Sequence, residues 1–95
     1  MDEGKVFEKL LKIASGEDLR VSFVPLQASF GRLKGNRIGL YMGMELCDIN
    51  YTLAHELAHH YLHHDKGNVI NSVNHHDLEE QADRAAKMLL DALIM

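Results

Sequence analysis

Cysteine is nearly absent: Cys47 is the only one in 95 residues, so no disulfide can close within the chain and no cysteine-based zinc site can be built. Cys47 itself reads as a small buried apolar side chain. Proline is as scarce, and the single Pro25 limits how far a central strand could run past residue 24. No apolar run approaches the length needed to span a bilayer, and Met1-Asp2-Glu3-Gly4-Lys5 is not a basic stretch followed by an apolar one. A cytoplasmic protein with no membrane contact is the expectation. An excess of positive charge is also missing: the net charge is -4, and the ten Lys and Arg residues are spread along the chain, which gives no footprint for direct nucleic-acid binding. Arg32, Lys34 and Arg37 cluster, but around a turn, where solvated charge is ordinary. With no repeat, linker or low-complexity segment, residues 1–95 read as one domain, close to the size at which a bound metal helps stability.

What the chain does have is histidine, seven in all, and they concentrate in one stretch. His55-Glu56-Leu57-Ala58-His59 sets two imidazoles four residues apart, one turn along the same face of a helix, where both can reach one metal ion. Neutral imidazoles bind zinc, a water fills an open position, and a carboxylate such as Glu56 accepts the water's proton; the chemistry is hydrolysis. At this chain's own His and Glu frequencies a chance HExxH arises on the order of a few per cent of the time, so the context must decide. On a helical wheel Thr52, Glu56, His59 and His63 share a sector with His55, while Leu53, Ala54, Leu57, Ala58, Tyr61 and Leu62 cover the opposite one. The histidines therefore do not belong to the apolar face.

Around this stretch the patterning predicts an α+β fold. Residues 3 to 15 carry Val6, Phe7, Leu10, Leu11, Ile13 and Ala14 as one apolar stripe, an amphipathic helix that Gly16 is placed to cap. Residues 20 to 24 are rich in β-branched and aromatic side chains and read as a strand. Residues 29 to 34 and 37 to 44 flank Gly35-Asn36, a hairpin signal that completes a short antiparallel sheet. In the second arm Ile38, Leu40, Met42 and Met44 alternate with a thin face containing Gly39 and Gly43; these glycines mark bulges or, alternatively, let an extended peptide approach the backbone. Asp48 or Asn50 can cap a helix starting near Tyr51 and running to about His64; residues 65 to 76 read as a loop, and a last helix runs from about Asp77 to Leu93.

That last helix turns two acids inward. Glu79 and Asp83 fall at the edge of a stripe made by Leu78, Ala82, Ala85, Ala86, Leu89, Leu90 and Leu93. An inward carboxylate needs a metal, a base or strong donors. A zinc ion on His55 and His59 meets that need for Glu79, and Asp83, one turn on, can accept the second ring N–H of a ligand histidine. The alternatives are a first-turn acid favoured by the helix dipole for Glu79 and an ion pair with a Lys or Arg for Asp83. His63 can serve as a substitute ligand, or, where the helix curves away from the metal, lie on the substrate side or in solvent. Candidates for the donor that stabilises an oxyanion, or for substrate contacts, are Tyr41, Tyr51, His75 and His76.

The run YTLAHELAHHYLHH at 51–64 followed by LEEQADRAAKMLL at 78–90 resembles the ImmA/IrrE family of HExxH zinc metallopeptidases, common in prophages and mobile elements. The resemblance covers roughly residues 37 to 91. It implies a compact, gluzincin-like zincin core made of a helix, a small sheet, the HExxH helix and a Glu-bearing helix. It further implies one catalytic zinc on His55, His59 and Glu79, Glu56 as the general base, and Asp83 behind the ligands. This chain departs from the family in having Ala85 where an aromatic is frequent, and Leu89-Leu90-Asp91-Ala92 where Leu-Leu-Met-Pro is common. The implied activity is limited-specificity hydrolysis of peptide bonds in a protein substrate, with a helix-turn-helix repressor as the implied target. The other expectation kept open is a non-catalytic, zinc-stabilised module that binds such a partner.

Overall fold

The computed structural model describes residues 2–25, 30–63 and 75–94, with the backbone alone at 63, 75 and 76. Six elements follow in order: α1 (Glu3–Gly16), β1 (Arg20–Val24), β2 (Gly31–Lys34), β3 (Arg37–Tyr41), α2 (Leu46–His63) and α3 (His75–Ile94). The chain is α+β, with three helices and one three-stranded sheet.

α1 forms because its apolar residues recur at helical spacing, and it buries Val6, Leu10 and Ala14. Asp2 caps it, its Oδ1 accepting from the backbone N–H of Gly4 at 2.9 Å and of Lys5 at 3.3 Å. Gly16 is the last helical residue rather than the cap; Glu17 takes that place, and Asp18 follows in the left-handed conformation with φ 58°. A short acid side chain tolerates that region, and the turn lets Leu19 N–H reach Ala14 O at 2.9 Å.

The sheet order is β1-β3-β2. β2 and β3 form the expected hairpin, antiparallel, with Gly35 at φ 59° in the turn. β1, however, joins β3 in parallel, with Arg20 opposite Arg37 and Val24 opposite Tyr41, so the sheet is mixed rather than antiparallel. The cause is topological: the chain passes from β1 to the far edge before returning through the centre. Ile38 and Leu40 of the central strand are fully buried beneath the helices with Leu10, Leu53 and Leu57. β3 ends at Tyr41, short of the expected Met44, and residue 29 of the expected first arm lies outside the described residues.

α2 begins at Leu46, five residues before the expected start, with Asp48 in its first turn. Cys47 sits in that turn and is exposed, not buried. Asn50 is no cap: it is 1% exposed, and its Nδ2 donates to Glu3 O at 2.9 Å and Glu3 Oε1 at 2.8 Å, fixing the start of α1 to α2. α3 packs mainly on α2 and buries Ala82 and Ala86 completely. Residues this small let two helix axes approach closely, which brings the side chains at the edge of the stripe across to the neighbouring helix. Of the expected loop at 65 to 76, residues 65 to 74, with His64 before them, lie outside the described residues, while His75 and His76 already belong to α3, which starts two residues before the expected Asp77. No described helix is long and apolar enough to cross a membrane.

Candidate metal centre

α2 presents His55 and His59 one turn apart, their rings edge to face with centroids 4.7 Å apart and their Nε2 atoms 3.1 Å apart. Glu79 crosses from α3 and spans the pair: Oε2 is 3.2 Å from His55 Nε2, and Oε1 is 2.9 Å from His59 Nε2. Three electron-pair donors from two helices thus point at one spot. Their mutual repulsion at such range is relieved only by a cation between them, whether metal or proton. Donors bound tetrahedrally to zinc at about 2.0–2.1 Å lie about 3.3 Å from one another, so the observed spacing needs only a slight opening to admit the ion. Among the described residues no further protein donor joins His55, His59 and Glu79. Two imidazoles and one carboxylate are a donor set that suits zinc. The half-exposed Glu79 carboxylate leaves the α3 side open to solvent.

If His55 offers Nε2 to a cation, its proton resides on Nδ1, and that nitrogen lies 2.9 Å from Asp83 Oδ1. The contact is one of distance, without hydrogen-bond alignment, and among the described residues no acceptor is aligned with this buried nitrogen. The same Asp83 oxygen accepts a hydrogen bond from the Tyr51 hydroxyl at 2.6 Å. Tyr51 is one turn before His55 on α2, so the three residues form a short chain from phenol through carboxylate to imidazole. That bond to Asp83, aided by burial and by the Asp83 charge, pushes the Tyr51 hydroxyl up to about 12. It is also the main cause holding the Asp83 carboxyl below its ordinary range. Asp83 therefore faces His55 and Tyr51, and among the described residues it forms no ion pair with a Lys or Arg. Tyr51, a candidate oxyanion donor on sequence grounds, has its hydroxyl committed to Asp83.

Glu56 is 8% exposed, and burial is the main cause pushing its carboxyl above the ordinary value; the nearby His55 opposes the shift and Glu79 adds to it. What covers it is β2. A Cβ placed at Gly31 would lie 3.2 Å from Glu56 Oε2 and 2.4 Å from Thr52 Cγ2, a distance no real side chain tolerates. Glycine at 31 is what lets the edge strand close over α2 beside the HExxH carboxylate. Tyr41, another candidate, packs elsewhere: its ring lies against Phe30 at 6.3 Å between centroids and over Gly43, where a Cβ would come within 2.7 Å of it. His75 and His76 open α3, but their side chains, like that of His63, lie outside the described residues.

The residues brought together here, His55, His59 and Glu79 with Glu56 beside them in sequence, are ones the sequence singled out, whereas Gly31 and the Tyr51–Asp83 bond are not foreseen. Gly31 carries no chemistry of its own, and only strand pairing reveals what it approaches. Comparison with known families, curated proteins and solved structures finds no match to the chain.

Proposed function

We propose that this chain is a zinc-dependent peptidase of the HExxH type. The observation that carries the reading is the meeting of His55 Nε2, His59 Nε2 and both Glu79 oxygens within 3.2 Å, next to a carboxylate, Glu56, that water barely reaches. Zinc, when bound, supplies a Lewis acid that polarises a scissile carbonyl and acidifies a water. His55, His59 and Glu79 are the residues that would hold it. Asp83, braced by Tyr51, keeps the His55 proton on Nδ1 so that Nε2 stays available. Glu56 takes one proton from the attacking water as the oxygen joins the carbonyl carbon, then passes it to the amine nitrogen as the C–N bond breaks. A carboxyl pushed upward by burial is suited to both halves of that transfer. A protein substrate in the cytoplasm, with a helix-turn-helix repressor as the first choice, rests on the resemblance to the ImmA/IrrE family.

Elemental analysis of the purified protein together with cleavage of internally quenched peptides tests the proposal. Zinc is expected at about one equivalent per chain, and Glu56→Gln is expected to keep the metal while losing on the order of 10²–10⁴ in rate. Cleavage that survives Glu56→Gln removes the general-base role. Zinc bound tightly by a wild-type chain that cleaves neither peptides nor repressor would point instead to a zinc-stabilised binding module.

A further inference from the structure

α1 and α2 pack on the face of the sheet that carries Ile38 and Leu40, with α3 behind them, and strand pairing gathers a single sign of charge on the other. Arg20 is opposite Arg37, and Arg37 is opposite Lys34, so three cations stand abreast across β1, β3 and β2. Two residues further along, the next rank is Ser22, Gly39 and Arg32. The last is Val24 beside Tyr41, with Phe30 bonded to Tyr41 through its carbonyl at 2.8 Å. Arg20, Arg32, Lys34 and Arg37 are all exposed, and none has an ion-pair partner among the described residues. None of the chain's 14 acids lies in the three strands. Phe30 adds an aromatic ring that is 65% exposed. Like charges directly opposite one another destabilise a sheet, so this rank of cations costs stability unless an anion sits on it.

We propose that this face docks an acidic segment of the peptidase's protein substrate. Neighbouring strands are about 4.8 Å apart and alternate residues about 6.8 Å, so the four cations cover a patch on the order of 10 Å wide and 7 Å long. That matches three or four carboxylates of an extended peptide, and arginine forks suit carboxylates. The surroundings favour a short anion over a long one. Acids outnumber bases 14 to 10 over the whole chain, so a polyphosphate strand that overran the patch would meet repulsion. The location gives the docking its use. β2 carries Arg32 and Lys34 on this face while Gly31, one residue before Arg32, abuts Glu56 on the other. A peptide held here and crossing the β2 edge leads to the candidate metal centre. The proposal rests on the peptidase reading for the word substrate, though the docking itself is measured without catalysis.

The experiment uses the full chain and fluorescence anisotropy at low ionic strength with a labelled peptide of alternating glutamate and serine, its glutamine counterpart, and an oligothymidylate of equal length. The glutamate peptide is expected to bind, the glutamine peptide not to, and added salt to weaken binding. Arg20→Glu with Arg37→Glu is expected to lower the affinity about tenfold or more, whereas Lys5→Glu with Lys12→Glu, the same change in net charge on α1, leaves it intact. Circular dichroism and zinc content verify that both double variants are folded and loaded, and Arg20→Ala with Arg37→Ala repeats the comparison without introduced acids. Equal loss in both charge-reversed proteins, or no loss in either, overturns the docking face, as does tighter binding of the oligothymidylate than of the glutamate peptide. Glutamate-peptide binding that depends on Arg20 and Arg37 in a protein without zinc or cleavage keeps the docking face while the peptidase reading fails.

Discussion

At position 56 a carboxylate sits 92% out of reach of solvent, and the cost of charging it there is written into its upward shift. In the metal-free protein the native state holds that proton more tightly than the unfolded chain. Its contribution to stability is thus unfavourable at neutral pH and relieved as pH falls from the raised value toward the ordinary 4.5. Glu56→Gln removes the penalty, so the apo variant is expected to be more stable than wild type at pH 7, with the gap closing in acid. Parallel denaturant melts in chelator at two pH values measure it, and a variant less stable at pH 7 would contradict the burial argument. Position 51 makes the opposite kind of prediction. Tyr51→Phe deletes the 2.6 Å bond to Asp83 and leaves the ring in place, so fold stability should fall by only about 1 kcal/mol. Zinc affinity, measured by chelator competition, should fall as well, toward the 10–100-fold loss typical when a group behind a ligand is removed, and Asp83→Ala should fall further. Unaltered zinc affinity in both would mean that the Tyr51–Asp83–His55 chain does not orient the ligand.

Between elements, two contacts bring the site together: β2 over α2, and α3 across it. Gly31→Ala tests the first, because the added methyl would overlap Thr52 Cγ2 and crowd Glu56, forcing the edge strand outward. A loss of about 1–3 kcal/mol is expected from such overpacking, with peptide cleavage reduced more than zinc content, since the ligands come from the helices. A fully stable, fully active variant would show that β2 does not cover Glu56. Glu79→Ala tests the second. Glu79 is the only described α3 residue that reaches both imidazoles, so zinc affinity should fall beyond the range expected for Tyr51→Phe, and the zinc-dependent part of the melting temperature should fall with it. This contact was legible in the sequence, because helical periodicity places Glu79 and Asp83 on the inner edge of a stripe that includes Ala82 and Ala86. Strand partners were less legible. Periodicity says which face of β1 is apolar but not which neighbour it takes, so the parallel register of Arg20 with Arg37, and the cation rank it creates, had no local signal. Arg32, Lys34 and Arg37 looked like turn residues because Arg20, the fourth member, is separated from them in sequence. The early start of α2 was hidden for a related reason: Asn50, which looks like a cap, is spent on Glu3.

On the scale of the whole molecule, a chain this short has little apolar volume to spend on stability. Its largest fully buried apolar side chains are Leu10, Ile38, Leu40, Leu53 and Leu57, which lie where α1, α2 and the sheet meet. α3 is held differently. It buries two alanines completely, lays the partly buried Leu89, Leu90 and Leu93 against the core, receives a hydrogen bond from Lys9 Nζ to the Leu93 carbonyl at 3.2 Å near its C-terminus, and is tied to α2 through Glu79 and Asp83 as well. A metal shared by α2 and α3 would therefore act as a staple on the helix whose fully buried side chains, Ala82 and Ala86, are the smallest. A ligand at a thousand times its dissociation constant stabilises the native state by about 4 kcal/mol. For a domain of this size each kcal/mol moves the midpoint by about 4–8 °C. Stripping the metal with a chelator is accordingly expected to lower the melting temperature by about 15 °C or more, and re-adding zinc to restore it. In Glu79→Ala the same treatment should move the midpoint little, because the binding that links the helices is already weakened. Hydrogen exchange locates the effect: on chelation, amides of α3 should lose protection before those of α1 and β3, whose packing does not depend on the ion. Identical melting curves with and without chelator, for a chain shown to have carried zinc, would place the metal outside the α2–α3 junction.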